Sequence, residues 1–358
     1  MKKTLLLTTA LIGTLSVLNS AQAEVKIGAH VKTAWKSFEN QTTNAASLSG
    51  FTQERQIDLS TSGTLNNGVK YAAGFSLEQD ASQVSGFDGS EGNYVNVTVG
   101  NTTLELGNDH ILNGDYNIVP RAGNAMNEEA GSGGDGSATN AGNLAFNQAL
   151  GTIKEAIGVG IVQKLDNATL AINYVPKVAT GVLYTGSSTT NTGKAYTADT
   201  DVPTTATGKG GYEVVLQGGY GVPGLNTIVN YSTAKMDGSS TQDMKTIGVG
   251  ASYTTGMISF GAERVKHDAF DGSNMTTTEF GVVAKINDAA SIGVGTVKSS
   301  GTTTAGVANA EDEKIKYLQV GYNLGAIGTQ FSYIKIENRN YVAASDPNGI
   351  VLKVNTKF

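Results

Sequence analysis

The connectors in this chain alternate in length, which restricts its fold more than any other feature. Every second connector is tight: Asn66-Asn67-Gly68, Gly100-Asn101, Asp166-Asn167, Pro223-Gly224, Thr255-Gly256, Asn287-Asp288 and Gly325-Ala326. Gly and Asn supply the positive φ angles that short hairpins need. The intervening connectors are long and rich in Gly, Ser, Thr and Asn. They run over Phe38–Gly50, Asp80–Gly92, His110–Lys154, Val178–Gly210, Lys266–Asn274, Ser299–Glu313 and Asn338–Asn348. A soluble sandwich has no reason to sort its connectors by parity. A barrel that crosses a membrane does, with short turns on one side and long loops on the other.

The segments between the connectors alternate with period 2, which places successive side chains on opposite faces of a sheet. Val25, Ile27, Ala29, Val31, Thr33 and Trp35 share one parity; Lys26, Gly28, His30, Lys32 and Lys36 share the other. Phe280, Val282, Ala284 and Ile286 alternate with Glu279, Gly281, Val283 and Lys285. The last segment sets Ile350, Leu352, Val354 and Phe358 against Val351, Lys353, Asn355 and Lys357. Sixteen such segments are expected, centred near Ile27, Ile57, Tyr71, Val97, Leu104, Val159, Ile172, Leu216, Val229, Val249, Phe260, Val282, Val294, Val320, Tyr333 and Val354. Around Phe331 to Ile336 the apolar parity switches, predicting a bulge or a short apolar segment. The fold class expected is all-β, a transmembrane sixteen-stranded antiparallel barrel.

Composition narrows the alternatives. Lys2 and Lys3, the apolar stretch Leu5 to Leu18 and Ala21-Gln22-Ala23 form a secretory signal pattern, so residues 1–23 are expected to be removed and the rest to form one barrel domain, 24–358. Beyond it no apolar run is long enough for a membrane helix. Without Lys2 and Lys3 the chain holds 23 basic and 31 acidic residues, a net charge of −8, which argues against nucleic acid. There is no cysteine, so neither disulfides nor thiol chemistry contribute. His30, His110 and His267 lack metal-ligand spacing, and no P-loop or nucleophile elbow occurs. No catalytic residue, cofactor or metal is therefore expected. Asp88-Gly89-Ser90-Glu91 and Glu311-Asp312-Glu313 are expected in surface loops, solvated or holding a divalent cation.

The run from Asn66 to Gln79, NNGVKYAAGFSLEQ, resembles the second hairpin of Gram-negative general diffusion porins. Arg55 to Ser60 resembles the strand before it in that family, and Val99 to Gly107 the family's next hairpin. The resemblance implies a homotrimer of sixteen-stranded barrels in the bacterial outer membrane, exported by the signal and surrounded by lipopolysaccharide and outer-membrane lipid. It implies an aqueous channel for small hydrophilic solutes and ions, narrowed by an inward-folded third external loop, here about 109–154. It implies that the terminal aromatic, Phe358, is read by the outer-membrane assembly machinery. The sequence departs from the family around Asn108-Asp109, where an arginine is expected, and Arg55 has the wrong parity for the pore wall unless a bulge intervenes.

A pore selects by its radius and by the charges at its narrowest point. On the inward loop the candidates are Asp109, Asp115, Arg121, Glu128 and Glu129, with Asp135 nearby. On the wall, lumen parity selects Lys26, Lys32, Lys70, Glu105, Lys285 and Lys353, with Lys36, Lys357, Glu78, Glu213 and Glu279 sharing that parity. For each of these the plain alternative is a solvated lumen charge remote from the constriction, since such lumens are polar throughout. Acids outnumber bases on the loop, so weak cation preference is expected. Trp35, Tyr94, Tyr174, Tyr253 and Tyr341 are expected in aromatic girdles, Tyr94 against its own parity. Three rival functions are a solute-specific channel, a surface adhesin using Val178–Gly210, and an outer-membrane hydrolase built on His110, Asp109 and Asp115.

Overall fold

The computed structural model describes residues 24–39, 48–80, 88–107, 118–122, 158–176, 208–236, 243–269, 272–302, 311–338 and 346–358. They form sixteen strands: β1 (Glu24–Glu39), β2 (Leu48–Thr64), β3 (Lys70–Asp80), β4 (Asp88–Val99), β5 (Thr102–Gly107), β6 (Gly158–Lys164), β7 (Ala168–Val175) and β8 (Gly208–Gly218), then β9 (Leu225–Met236), β10 (Met244–Thr255), β11 (Ile258–Asp268), β12 (Asn274–Lys285), β13 (Ala290–Thr302), β14 (Glu313–Leu324), β15 (Ile327–Glu337) and β16 (Asn348–Lys357). Each strand pairs antiparallel with the next, and β16 pairs with β1, so the sheet is a closed barrel.

Hydrocarbon offers no water to an unpaired backbone group, so a spanning sheet must have no edge. The seam that removes the edge runs from the pair His30–Lys357 to the pair Glu39–Asn348. It extends one step further: the Phe358 amide donates to the Ala29 carbonyl at 2.9 Å, and the Ala29 amide to the Phe358 carbonyl at 3.4 Å. At the short-turn end, Gly256 and Gly325 open two-residue turns with φ of 59° and 65°, a conformation that strains any residue with a Cβ.

The two faces follow the parity of the sequence. On β14, Leu318, Val320 and Tyr322 are exposed outward, while Glu313, Ile315, Tyr317 and Gln319 are buried inside the barrel. Phe260, Phe280, Val294, Phe331 and Leu352 continue the outward apolar surface. Tyr212 and Tyr231 pair on this face, as do Tyr253 and Phe260, with ring centroids 5.9 and 5.8 Å apart. Outward lysines and arginines of β9–β11 and β13–β15 (Lys235, Lys245, Arg264, Lys266, Lys298, Lys314, Lys316 and Lys335) lie toward the long-connector end. At the bilayer midplane each would cost about 2–4 kcal/mol, falling to about 0–1 near the interface.

Several expectations change. β15 has a continuous register with both neighbours, so there is no bulge at Phe331–Ile336. Phe331 and Tyr333 face out, while Ile334 and Ile336 join a buried inner cluster with Ala34, Phe38, Val297, Ile315, Tyr317 and Val351. β1 and β2 are 16 and 17 residues long, so they reach into the expected first long connector. Tyr94 belongs inside, not in a girdle: its ring lies where a Cβ on lumen-facing Gly74 would go, and a register shift follows directly in β3. Asp88 to Glu91 begin β4 rather than lying in a loop, and Glu313 is a buried residue at the start of β14. Tyr341 and His110 lie outside the described residues.

Deleting Phe358 removes both hydrogen bonds at the end of the seam and its outward aromatic ring. The shortened protein is expected to reach the outer membrane in reduced amount while its export stays normal. Equal outer-membrane levels of the two proteins on heat-modifiability gels would contradict the role given to this seam.

Candidate channel interior

The interior is built by the non-lipid parity of every strand, and its charges fall into separate groups. On β1 and β2, Glu54 accepts from His30 Nε2 at 2.6 Å and pairs with Lys32. Next to it, Asp58 Oδ1 accepts from Gln56 at 2.6 Å and from the Ser76 hydroxyl of β3 at 2.7 Å. Lys36 and Lys353 are buried on the same side of the barrel, on β1 and β16. Lys26, Lys70, Lys285 and Lys357 share the inward parity but stand exposed near the short-turn end. Glu105 faces inward opposite Asn96 of β4.

Across the barrel the inner wall is acidic. Glu213 of β8 is fully buried and takes one hydrogen bond from Asn173 of β7 at 2.8 Å and one from Asn230 of β9 at 2.5 Å. On β12, Glu279 is held by Arg121. Nη2 donates to Oε1 and Oε2, each at 2.6 Å, and Nε donates to Oε1 at 3.0 Å. The Tyr317 hydroxyl of β14 donates to the same Oε1 at 2.9 Å, and its ring centroid lies 5.6 Å from the guanidinium carbon. This geometry joins a charge-assisted fork to a cation–π contact.

Arg121 belongs to the long connector between β5 and β6, yet it is bonded to β12, six strands from β6 in a ring of sixteen. Residues 118–122 therefore lie inside the barrel, against a wall remote from the strands they connect. The sequence makes room for them with glycine. A Cβ at Gly281 would sit 2.6 Å from Val119 Cγ1, and one at Gly250 would sit 2.5 Å from Ile118 Cγ2. Gly261 and Gly293 similarly face Pro120 and Ala122. Ile118 and Val119 then complete an apolar cluster with Ala171, Val215, Ile228 and Val265. Burial disfavours the Arg121 charge, but the Glu279 carboxylate outweighs it and holds the guanidinium above its ordinary range.

Among the candidates read from the sequence, Arg121 is thus placed with Glu279, and Lys32 with Glu54. Lys26, Lys70, Glu105, Lys285 and Lys353 line the wall at different levels, with Lys26, Lys70 and Lys285 exposed toward the short-turn end and Lys353 buried. Asp109, Asp115, Glu128 and Glu129 lie outside the described residues, as does Asp135. Arg55 points outward, donating to Gln53 at 2.7 Å, and no bulge in β2 turns it inward. Glu54, Asp58, Glu263 and Tyr317 were not singled out in the sequence. Parity alone could have found them, since each sits between outward-facing neighbours. Among the described residues no three His, Cys, Asp or Glu side chains converge to hold a metal ion.

Known proteins bear on this arrangement. The family model for Gram-negative porins matches residues 8–341. No curated protein matches the sequence. Among solved structures, an anion-selective porin from Comamonas acidovorans is similar with a TM-score of 0.63 at 13% identity, covering 94% of this chain and 100% of that one. A triple mutant of the Rhodopseudomonas blastica porin gives a TM-score of 0.57 at 13% identity, with the same coverage.

Arg121→Ala would leave the buried Glu279 side chain without its main partner, a loss of about 3–5 kcal/mol for an ion pair of this kind. The variant is expected to release residues 118–122 from the wall. Its single-channel conductance should rise and become noisier, and proteolysis between β5 and β6 should quicken. A conductance trace and a digestion pattern equal to those of the unmodified protein would contradict the holding role of the pair.

Proposed function

The chain belongs to the Gram-negative porin family, a multi-pass β-barrel of the outer membrane that serves as a diffusion channel, and we propose that its pore is weakly cation-preferring. In this reading the connector at about 109–154 forms the constriction and small hydrophilic solutes pass by size. The observation that carries it is the Arg121–Glu279 bond, which ties this connector to the far inner wall. Described lumen charges of the two signs are close to balance: Glu54, Asp58, Glu105, Glu213, Glu263, Glu279 and Glu313 against Lys26, Lys32, Lys36, Lys70, Arg121, Lys164, Lys285, Lys353 and Lys357. The pairs Lys32–Glu54 and Arg121–Glu279 each cancel one charge of either sign. The loop carboxylates Asp109, Asp115, Glu128 and Glu129 then tip the field, because low-dielectric walls focus the potential of fixed charges.

The same reading includes a homotrimer whose barrels sit among lipopolysaccharide and outer-membrane lipid. Residues 1–23 act as the export signal. The assembly machinery reads Phe358, which is 78% exposed. No catalytic step is assigned to the interior. An anion-preferring pore is the second reading. It is favoured by the grouping of His30, Lys32, Lys36 and Lys353 on β1 and β16, and the Comamonas porin carries that selectivity.

Two measurements test these readings. Unboiled gels should show a detergent-stable, heat-modifiable trimer, and a monomer in mild detergent would remove the trimer. Reversal potentials in a KCl gradient should show modest cation preference that weakens as the Debye length falls from about 10 Å at 0.1 M to about 3 Å at 1 M. Replacing Glu128 and Glu129 with Gln should reduce it. Clear anion selectivity would transfer control to the lysine wall.

A further inference from the structure

Glu213 of β8 lies in a small polar set enclosed between apolar rows of the inner wall. Its register partners are Asn173 on β7 and Ser232 on β9, and Asn230 precedes Ser232 on the same inward parity. These four residues are at most 1% exposed. Toward the long-connector end the next inward row is Val175, Gly211, Ala234 and Met244, each the register partner of the one before. Toward the short-turn end stand Ala171, Val215 and Ile228, packed in one cluster with Ile118 and Val119. Glu54 and Glu279 each have a basic partner. Among the described residues the hydrogen bonds to Glu213 come from two neutral amides, those of Asn173 and Asn230. His267, three strands away in the same row, is bonded to Thr246.

A carboxylate withdrawn from water calls for a counter-charge as well as hydrogen bonds. The oxygens around Glu213 indicate its kind. Asn173 Oδ1, Asn230 Oδ1 and Ser232 Oγ are buried without a hydrogen-bond partner. An asparagine amide keeps its outline when turned over, with oxygen and nitrogen exchanged. Turned in this way, Asn173 and Asn230 present oxygen where they now present Nδ2, on either side of one carboxylate. With Ser232 Oγ the set then offers five oxygens and a single formal charge. Water would satisfy such oxygens and leave the charge. A hard cation does both, since carboxylate, amide and hydroxyl oxygens are the ligands it prefers. The charge count sets its valence: a monovalent ion leaves the enclosure neutral, and a divalent ion would bury a positive charge. We infer that Asn173, Glu213, Asn230 and Ser232 bind a monovalent alkali-metal cation, sodium or potassium, on the inner wall. The ion ties β7, β8 and β9 together beside the seat of residues 118–122.

Thermal unfolding of the full-length protein in non-ionic detergent, followed by far-ultraviolet circular dichroism, tests the site. A ligand held by the folded state alone raises the midpoint as its concentration passes its Kd. The midpoint is expected to rise with NaCl or KCl and not with choline chloride at equal ionic strength, because choline is too large for the enclosed set. Glu213→Gln keeps the shape and removes the charge, and it is expected to unfold at one midpoint in all three salts. Ser232→Ala leaves the carboxylate in place and keeps the test open if Glu213→Gln does not fold. It should need more alkali-metal ion for the same rise. Equal midpoints of the native protein in all three salts would overturn the site, since Glu213 would then carry its own proton. A rise with CaCl2 but not with the alkali salts would overturn the monovalent assignment. An undiminished response in either variant would place the ion elsewhere on the barrel and overturn the site.

Discussion

Everything in this structure depends on backbone polarity in a medium without water. A peptide group that enters hydrocarbon unpaired costs several kcal/mol, so strands can enter only as a sheet with no edge. The ladder between β1 and β16 meets that requirement. It unites the two ends of the chain, so the sheet is complete only when the last strand is in place. The final residue takes part, with both backbone groups of Phe358 bonded to Ala29. With sixteen strands, the start of β1 and the end of β16 both stand at the short-turn end.

Closure creates an interior, and here the usual logic of a protein core is reversed. Large apolar side chains such as Phe331 and Leu352 face out, while Glu213, Glu279 and Lys353 are buried inside. Inside groups are paired in small local sets: Glu213 between two asparagines, Glu54 between His30 and Lys32, Glu279 between Arg121 and Tyr317. Each set satisfies a carboxylate that would otherwise be costly to enclose. The last set also holds residues 118–122, seated over glycines of four strands. Those glycines cost the strands side-chain packing, and they allow backbone to approach backbone closely enough for a connector to lie flat on the wall.

The outer face shows a second division of labour. Apolar residues occupy the middle of the strands and bases the long-connector end, which is the order that depth-dependent charge costs impose.

The sequence by itself determined the strands, their number, their order and which face of each is wet. Period 2 is a property of the extended backbone, so parity carries over directly into burial, as β12, β14 and β16 illustrate. The inward direction of Lys32, Glu105, Glu213, Glu279 and Lys353 and the outward direction of Arg55 were legible on the same ground. Parity also says which of two faces a residue takes where both are apolar, but not why, and the inner cluster of Ile315, Ile334 and Ile336 needed the closed barrel to explain it. Which inward charges meet was decided only by tertiary structure. Arg121 and Glu279 are 158 positions apart, and their contact exists because β12 curves round to face the connector that leaves β5. Register shifts were equally hidden: the irregularity after Gly74 that accompanies the inward ring of Tyr94 depends on how β3 meets β4. Local backbone geometry is periodic and can be read along the chain. Long-range pairing depends on curvature and closure, which no short window of sequence contains.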